Sequence, residues 1–326
     1  MRFSRLGIFV FLTISVVFTT NCSYYNRILS RKNLVDGSVA YRERKFQVAE
    51  DLFRKAAARD PKGETVEGRA AQLFLARTLH SEFIGNRQHV ELADAAIAEY
   101  NKALAVDKND QASYKAIASL YDNLQRNDEW QKWVTDRANR ADITPQNRAE
   151  ALTSLAARKN SCATEVTDTE KTKKTVKKDG KDVFQFVKPE SPDDLARLKE
   201  CVDTGSQLIA QAIALEPAEV KSAKNLNPKT MTDEQLKTQG DVLKVFESAR
   251  SYNASLKIQA MRLAEMEGRT ADRDRLKSEA DQAKAEFTEL SEVNKNIEAE
   301  IDSRKAAAEA AANANANANA KTPANK

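Results

Sequence analysis

One spacing constrains this chain more than any other: an alanine, an aromatic four residues on, and a second alanine three further. Ala49, Phe53 and Ala56 make one copy, and Ala96, Tyr100 and Ala103 a second. Offsets of four and three put all three side chains on one face of a helix. The small residues let a neighbouring helix come close while the ring fills the gap between the two backbones. Gly37 and Phe46 precede the first copy and Pro61 follows it, where proline stops the helix. Tyr114, Ile117, Ala118 and Tyr121 read as the first helix of a third unit, with Asp128 to Arg140 as its partner and Trp130 where alanine is expected. Gly205, Ile209, Ala212 and Pro217 restore the second-helix spacing, and Gly240 to Gly268 with Ala271 to Ala285 form a looser last pair. Repetition at the length of a helix pair marks a stack in which each pair buries its apolar face on the next.

These residues resemble the tetratricopeptide repeat (TPR) consensus in type and spacing, over most of residues 33–285. Lys108 stands where the second copy's closing proline is usual, and Ser81 to Leu92 reads as a turn longer than standard after a first helix at Ala71 to Leu79. The resemblance implies an all-α fold: a right-handed TPR-type α-solenoid of antiparallel helix pairs over residues 33–275, with a concave groove lined by first-helix side chains. Such a groove suits an extended peptide or a helix. Tyr41, Arg42, Arg77, Lys115 and Asn123 fall on those faces and are the groove candidates, the arginines suited to carboxylates. For each alone, the alternative is an ordinary solvated helix position.

One stretch departs from helix. Lys171 to Lys178 is basic, Asp179-Gly180 is a hairpin-turn dipeptide, and Asp182 to Val187 is rich in strand formers. The expectation is a small β-hairpin insertion at about 166–190, closed by Ser191-Pro192-Asp193-Asp194 at the start of the next helix. Its lysines read either as a contact for anionic partners or as a charged, solvated surface. Cys162 and Cys201 flank the insertion, one expected to end a helix and the other to sit in the early turns of its partner. In an oxidising compartment the pair reads as one disulfide stapling the hairpin's base, and otherwise as two buried thiols.

The compartment is inferred from the N-terminus. Arg2 and Arg5 precede an apolar run from Leu6 to Phe18, which is short for a transmembrane helix and has the layout of a secretory signal. The run ends Phe18-Thr19-Thr20-Asn21-Cys22, which resembles the lipobox of bacterial lipoproteins. Thr19 and Asn21 depart from the Leu-like and small residues usual there. The resemblance implies a signal peptide at 1–21, lipidation of Cys22, a linker at 22–32 and a lipid-anchored protein of the cell envelope facing the periplasm. Ser23 after the cysteine implies the outer rather than the inner membrane. The alternative for Cys22 is an ordinary thiol in an exported protein.

At the other end, Leu276, Ala280, Ala283, Phe287, Leu290, Asn294, Ile297 and Ile301 alternate spacings of four and three. This heptad seam reads as a helix at 276–305 that caps the last repeat, or as a coiled coil through which two copies dimerise. The Ala/Asn-rich segment 306–326 is expected to be disordered.

A formal charge of +4 over 326 residues carries no whole-chain signal for a nucleic acid, and the basic run lacks interleaved aromatics. His80 and His89 are the only histidines, and the chain has no CxxC, HExxH, GxSxG or phosphate-loop motif. Trp130 and Trp133, three apart, read as core fillers. The expectation is a non-catalytic envelope scaffold, without cofactor or metal, that binds other envelope proteins or peptides.

Overall fold

A computed structural model describes the backbone of residues 5–320 and the side chains of residues 24–313. The side chains of Cys22 and of the expected signal lie outside the described residues. Eleven α-helices and one two-stranded antiparallel sheet are present among the described residues. They fall into two compact units, Met1–Trp133 and Val134–Lys326. None of the helices searched is long and apolar enough to cross a membrane.

The first unit is a succession of helices: α1 (Arg5–Arg42), α2 (Phe46–Ala57), α3 (Val66–Gly85), α4 (Val90–Val106), α5 (Gln111–Asn123) and the first half of α6 (Asn127–Asn139). Packing is sequential from α1 to α5, with α1 also touching α3. Short connections force successive helices to run antiparallel. The repeat spacing explains the fit: Ala49, Phe53, Ala56, Ala96 and Tyr100 are all buried. A β-carbon on Gly37 would come within 2.7 Å of the Phe53 ring, so α1 and α2 meet at a contact only glycine allows. Trp133 closes the unit, stacked 5.7 Å from Tyr114 and donating its indole N–H to the Tyr114 carbonyl at 3.3 Å.

Two expectations are corrected here. Helix α3 runs on to Gly85, so the turn before α4 is short rather than extending from Ser81 to Leu92. Nothing between Ser81 and Ile84 breaks a helix, and Phe83 is buried at its end. The segment expected as a linker is part of α1: Ser30 is buried and donates to the Ala56 carbonyl at 3.2 Å, and Arg27 pairs with Glu67 at 3.0 Å.

The connection from α2 to α3 turns on Asp60. Its carboxylate accepts the backbone N–H of Thr65 and the Thr65 hydroxyl, both at 2.7 Å, and the Glu64 N–H at 3.0 Å. Thr65 then caps α3 by accepting from the Gly68 N–H at 3.0 Å. Burial raises the Asp60 pKa, but these hydrogen bonds outweigh it and hold the group below its ordinary value. The stabilisation is therefore present above the unfolded pKa and lost as pH falls through the folded one. Asp60→Ala is expected to cost about 1–2 kcal/mol near neutrality. Urea titrations should show the gap from wild type closing at strongly acid pH; a constant gap would mean the carboxylate's charge is irrelevant.

In the second unit α7 (Pro145–Thr167), α8 (Pro192–Ala214) and α10 (Asp233–Met266) pack mutually, and α11 (Thr270–Ala320) lies along α10. The four-residue α9 (Ala218–Lys221) and two 3-10 turns link α8 to α10. Gly205 again permits close approach, since a β-carbon there would lie 2.7 Å from Leu256 of α10 and 3.0 Å from Lys159 of α7. Cys162 and Cys201 are disulfide-bonded with Cα atoms 6.2 Å apart. They sit further inside their helices than expected, because α7 continues to Thr167 and α8 begins at Pro192. The bridge thus joins the bodies of α7 and α8 rather than the hairpin's base.

The seam of α11 faces α10 of the same chain. Ala280, Ala283, Leu290, Asn294 and Ile297 are buried, and Asn294 donates to the Glu247 carboxylate. Lys257–Glu279 at 2.8 Å, Lys244–Glu298 at 2.9 Å and Arg304–Asp233 at 2.7 Å flank it. Of the seam's apolar residues, Ala280, Ala283, Leu290 and Ile297 are thereby covered within the chain, while Leu276 and Phe287 are half-buried and Ile301 is exposed. The helix begins at Thr270 without a break at 275, because Gly268, at φ +72°, makes the only turn needed after α10. It also continues through the expected disordered segment as far as Ala320. Every described side chain from 305 to 313 is exposed, so alanine's helix propensity rather than packing accounts for it.

Candidate binding cavity

The groove candidates are distributed unevenly. Tyr41, on α1, is half-buried, its hydroxyl 2.9 Å from the Ser81 hydroxyl of α3 and its ring edge-on to Phe46 at 5.5 Å. Arg77 lies one turn before Ser81 on α3, its backbone carbonyl accepting from the Ser81 hydroxyl at 2.9 Å and its guanidinium 5.7 Å from the Phe74 ring centre. Tyr41 therefore meets α3 one turn beyond Arg77. Arg42 is exposed at the end of α1 and Lys115 is exposed on α5. The Asn123 amide is turned onto its own helix, donating to the Ser119 carbonyl at 2.8 Å.

Two residues that repeat spacing could not nominate sit beside Arg77. The Tyr100 hydroxyl of α4 is 3.4 Å from Nδ1 of His80, with the rings edge-to-face at 6.1 Å. Burial pushes the Tyr100 phenol up to about 12 and lowers the His80 pKa, so both are neutral near pH 7. Desolvation favours an uncharged pair joined by one hydrogen bond.

Ser81 and Phe46 also line a cavity of about 770 Å³, bounded by the start of α2, the end of α3 and the first turn of α4. Phe46, Val48 and Leu92 supply apolar wall; Glu50, Glu82 and Glu91 face it, with Arg44, Lys45 and His89 at its margin. Local rules build it. Arg44 takes a left-handed turn at φ 60° that sends the chain from α1 into α2, and Gly85 has nothing within 4 Å of where a β-carbon would be. Glu82 has its pKa raised, by burial first and by the Glu50 charge second, against a smaller lowering from Arg54. One of its carboxylate oxygens is buried with no hydrogen-bond partner. His89 and Glu91 pair at 2.7 Å on the exposed side.

Chemically, this is a concave surface with an apolar wall and carboxylates of which one is poorly solvated, suited to a segment that brings apolar contact together with a hydrogen-bond donor or cation. Among the described residues no group of three or more His, Cys, Asp or Glu is placed to hold a metal ion. No protein-family model matches the chain, and no match to a curated protein is found.

Proposed function

We infer that the chain is a non-catalytic scaffold that holds a segment of another protein against the first unit. The observation that carries this reading is the cavity opening where two successive helix pairs, α1–α2 and α3–α4, meet at their turns. Phe46, Val48 and Leu92 supply an apolar wall, and charged side chains at the turns supply variable chemistry. The sequential antiparallel packing of α1 to α5, and of α7, α8, α10 and α11, supports the finer reading of a right-handed TPR-type solenoid. The lipoprotein-type N-terminus supports placing the scaffold at the cell envelope, facing the periplasm and anchored through Cys22. Its ligands are then envelope proteins or peptides.

A photo-cross-linking residue in place of Val48, which is 52% exposed and lines the cavity, tests the binding reading in cells. A discrete adduct is expected there and not from Val66, which is 66% exposed on α3 outside the cavity. Glu82→Lys should abolish the adduct; identical patterns from both positions would refute the site. Anchoring is tested separately by feeding an acyl-chain analogue, where Cys22→Ala should remove all label.

A further inference from the structure

The insertion between α7 and α8 is a lysine-rich segment. Residues 170–188 hold seven lysines against three acids, a net +4 equal to the formal charge of the whole protein. The strands are β1 (Lys173–Lys178) and β2 (Lys181–Phe186), joined by Asp179 and Gly180, both at positive φ. Consecutive positive φ values fit the turn whose twist matches a two-residue hairpin. The hairpin is fastened at its base. Phe186 is buried, the Arg262 guanidinium lies 4.5 Å from its ring centre, and Thr172 donates to the Val166 carbonyl at 2.7 Å.

Beyond that base few side chains have partners within the chain, although the Lys173 ammonium lies 4.4 Å from the Phe184 ring centre. Lys173 pairs with Asp168 at 2.6 Å and Lys174 reaches the Glu170 carbonyl at 2.7 Å. Lys171, Lys177, Lys178, Lys181 and Lys188 form no ion pair among the described residues. Lys178 and Lys181 are directly opposed across the strands, an arrangement that like charges disfavour. Phe184 is 60% exposed and Val183 37% exposed.

We propose that this hairpin is a peripheral contact for an anionic lipid surface, its lysines reaching headgroup phosphates and Phe184 entering the interfacial layer. The register decides between a lipid layer and an acidic protein. Thr175, Lys177, Asp182 and Phe184 share one face; Lys174, Val176, Lys178, Lys181 and Val183 share the other. Unpaired lysines and exposed apolar groups thus occur on both faces. A protein partner reads one face, whereas a headgroup layer surrounds a projecting ribbon. The segment has no arginine, the residue that pairs bidentately with fixed carboxylates; lysines act as point charges that suit a diffuse anionic layer. The inference stands apart from the cavity and from Cys22, since it rests on the second unit alone.

The test uses the full chain and two sets of vesicles, phosphatidylcholine alone and phosphatidylcholine with phosphatidylglycerol at three to one. Any contribution of the apolar N-terminus is common to both, so the readout is the preference for anionic vesicles. Wild type should prefer them, and the preference should fade as salt rises. Lys177→Gln, Lys178→Gln and Lys181→Gln together should lower binding to anionic vesicles about a hundredfold, at about fivefold (roughly 1 kcal/mol) per charge. In a second variant, Phe184→Trp, emission should shift to the blue and be quenched by brominated lipid, against the fixed background of Trp130 and Trp133. A preference unchanged by the triple substitution overturns the proposal. So does wild type that binds polyglutamate but shows no vesicle preference, which would assign the lysines to an acidic protein.

Discussion

Phe53→Ala is expected to destabilise the first unit by about 3–5 kcal/mol, at the upper end of large-to-small core substitutions. Phe53 is fully buried on α2, stacked 5.3 Å from Phe74 of α3 and pressed against Gly37 of α1. Removing it strips packing from three helices at once. None of them can collapse into the space without shifting the close α1–α2 approach. The reciprocal change makes the same point: Gly37→Ala puts a methyl 2.7 Å from the Phe53 ring and should cost about 1–3 kcal/mol through overpacking. Because the two residues touch, Gly37→Ala with Phe53→Leu should cost less than the sum of the single changes. Urea unfolding followed by Trp133 fluorescence reports on this unit, since Trp133 packs against its core. A loss below about 1 kcal/mol for Phe53→Ala would mean that the packing against Gly37 and Phe74 contributes little.

Elements whose signal is local were legible in the sequence. Asp179-Gly180 marked the hairpin turn because positive φ is a property of those two residues themselves. Ser191-Pro192-Asp193-Asp194 marked the start of α8 because capping is settled within one turn, and Ser191 does accept from the Asp194 N–H at 3.3 Å. The cysteine pair was legible by count. Extents were harder: α3 overran its expected end and α11 overran both of its limits, because no residue there opposes a helix. Among the functional features, nothing in the repeat spacing announced the cavity. It is formed by turn residues from three helices whose proximity follows only from packing. The His80–Tyr100 pair was likewise hidden, since each residue has a sufficient local explanation and their contact is a property of the α3–α4 interface. Of the groove candidates, Tyr41 meets α3 at Ser81, one turn after Arg77, while Asn123 is spent on its own helix.

Replacing both Cys162 and Cys201 with alanine is expected to cost about 4 kcal/mol, from the chain entropy restored to an unfolded loop of this size. The bridge closes a separation of 39 residues that contains the whole hairpin, a segment contributing few buried side chains of its own. Without it, α7 and α8 are held by packing that includes Ala163, Val166, Leu198 and Val202 and by their shared contacts with α10, and the hairpin becomes a long loop whose closure that packing must offset. The effect should be confined to the second unit. Tryptophan fluorescence is a poor reporter, since both tryptophans lie before residue 134; amide exchange is the better measurement. Peptides from α7 and α8 should lose protection in the variant, and wild type treated with dithiothreitol should match it. Peptides from α2 and α3 should exchange as before. Unchanged protection in α7 and α8 would show that helix packing alone holds the pair. Chain made under reducing conditions should show two free thiols beyond Cys22 and the weaker α7–α8 protection of the variant.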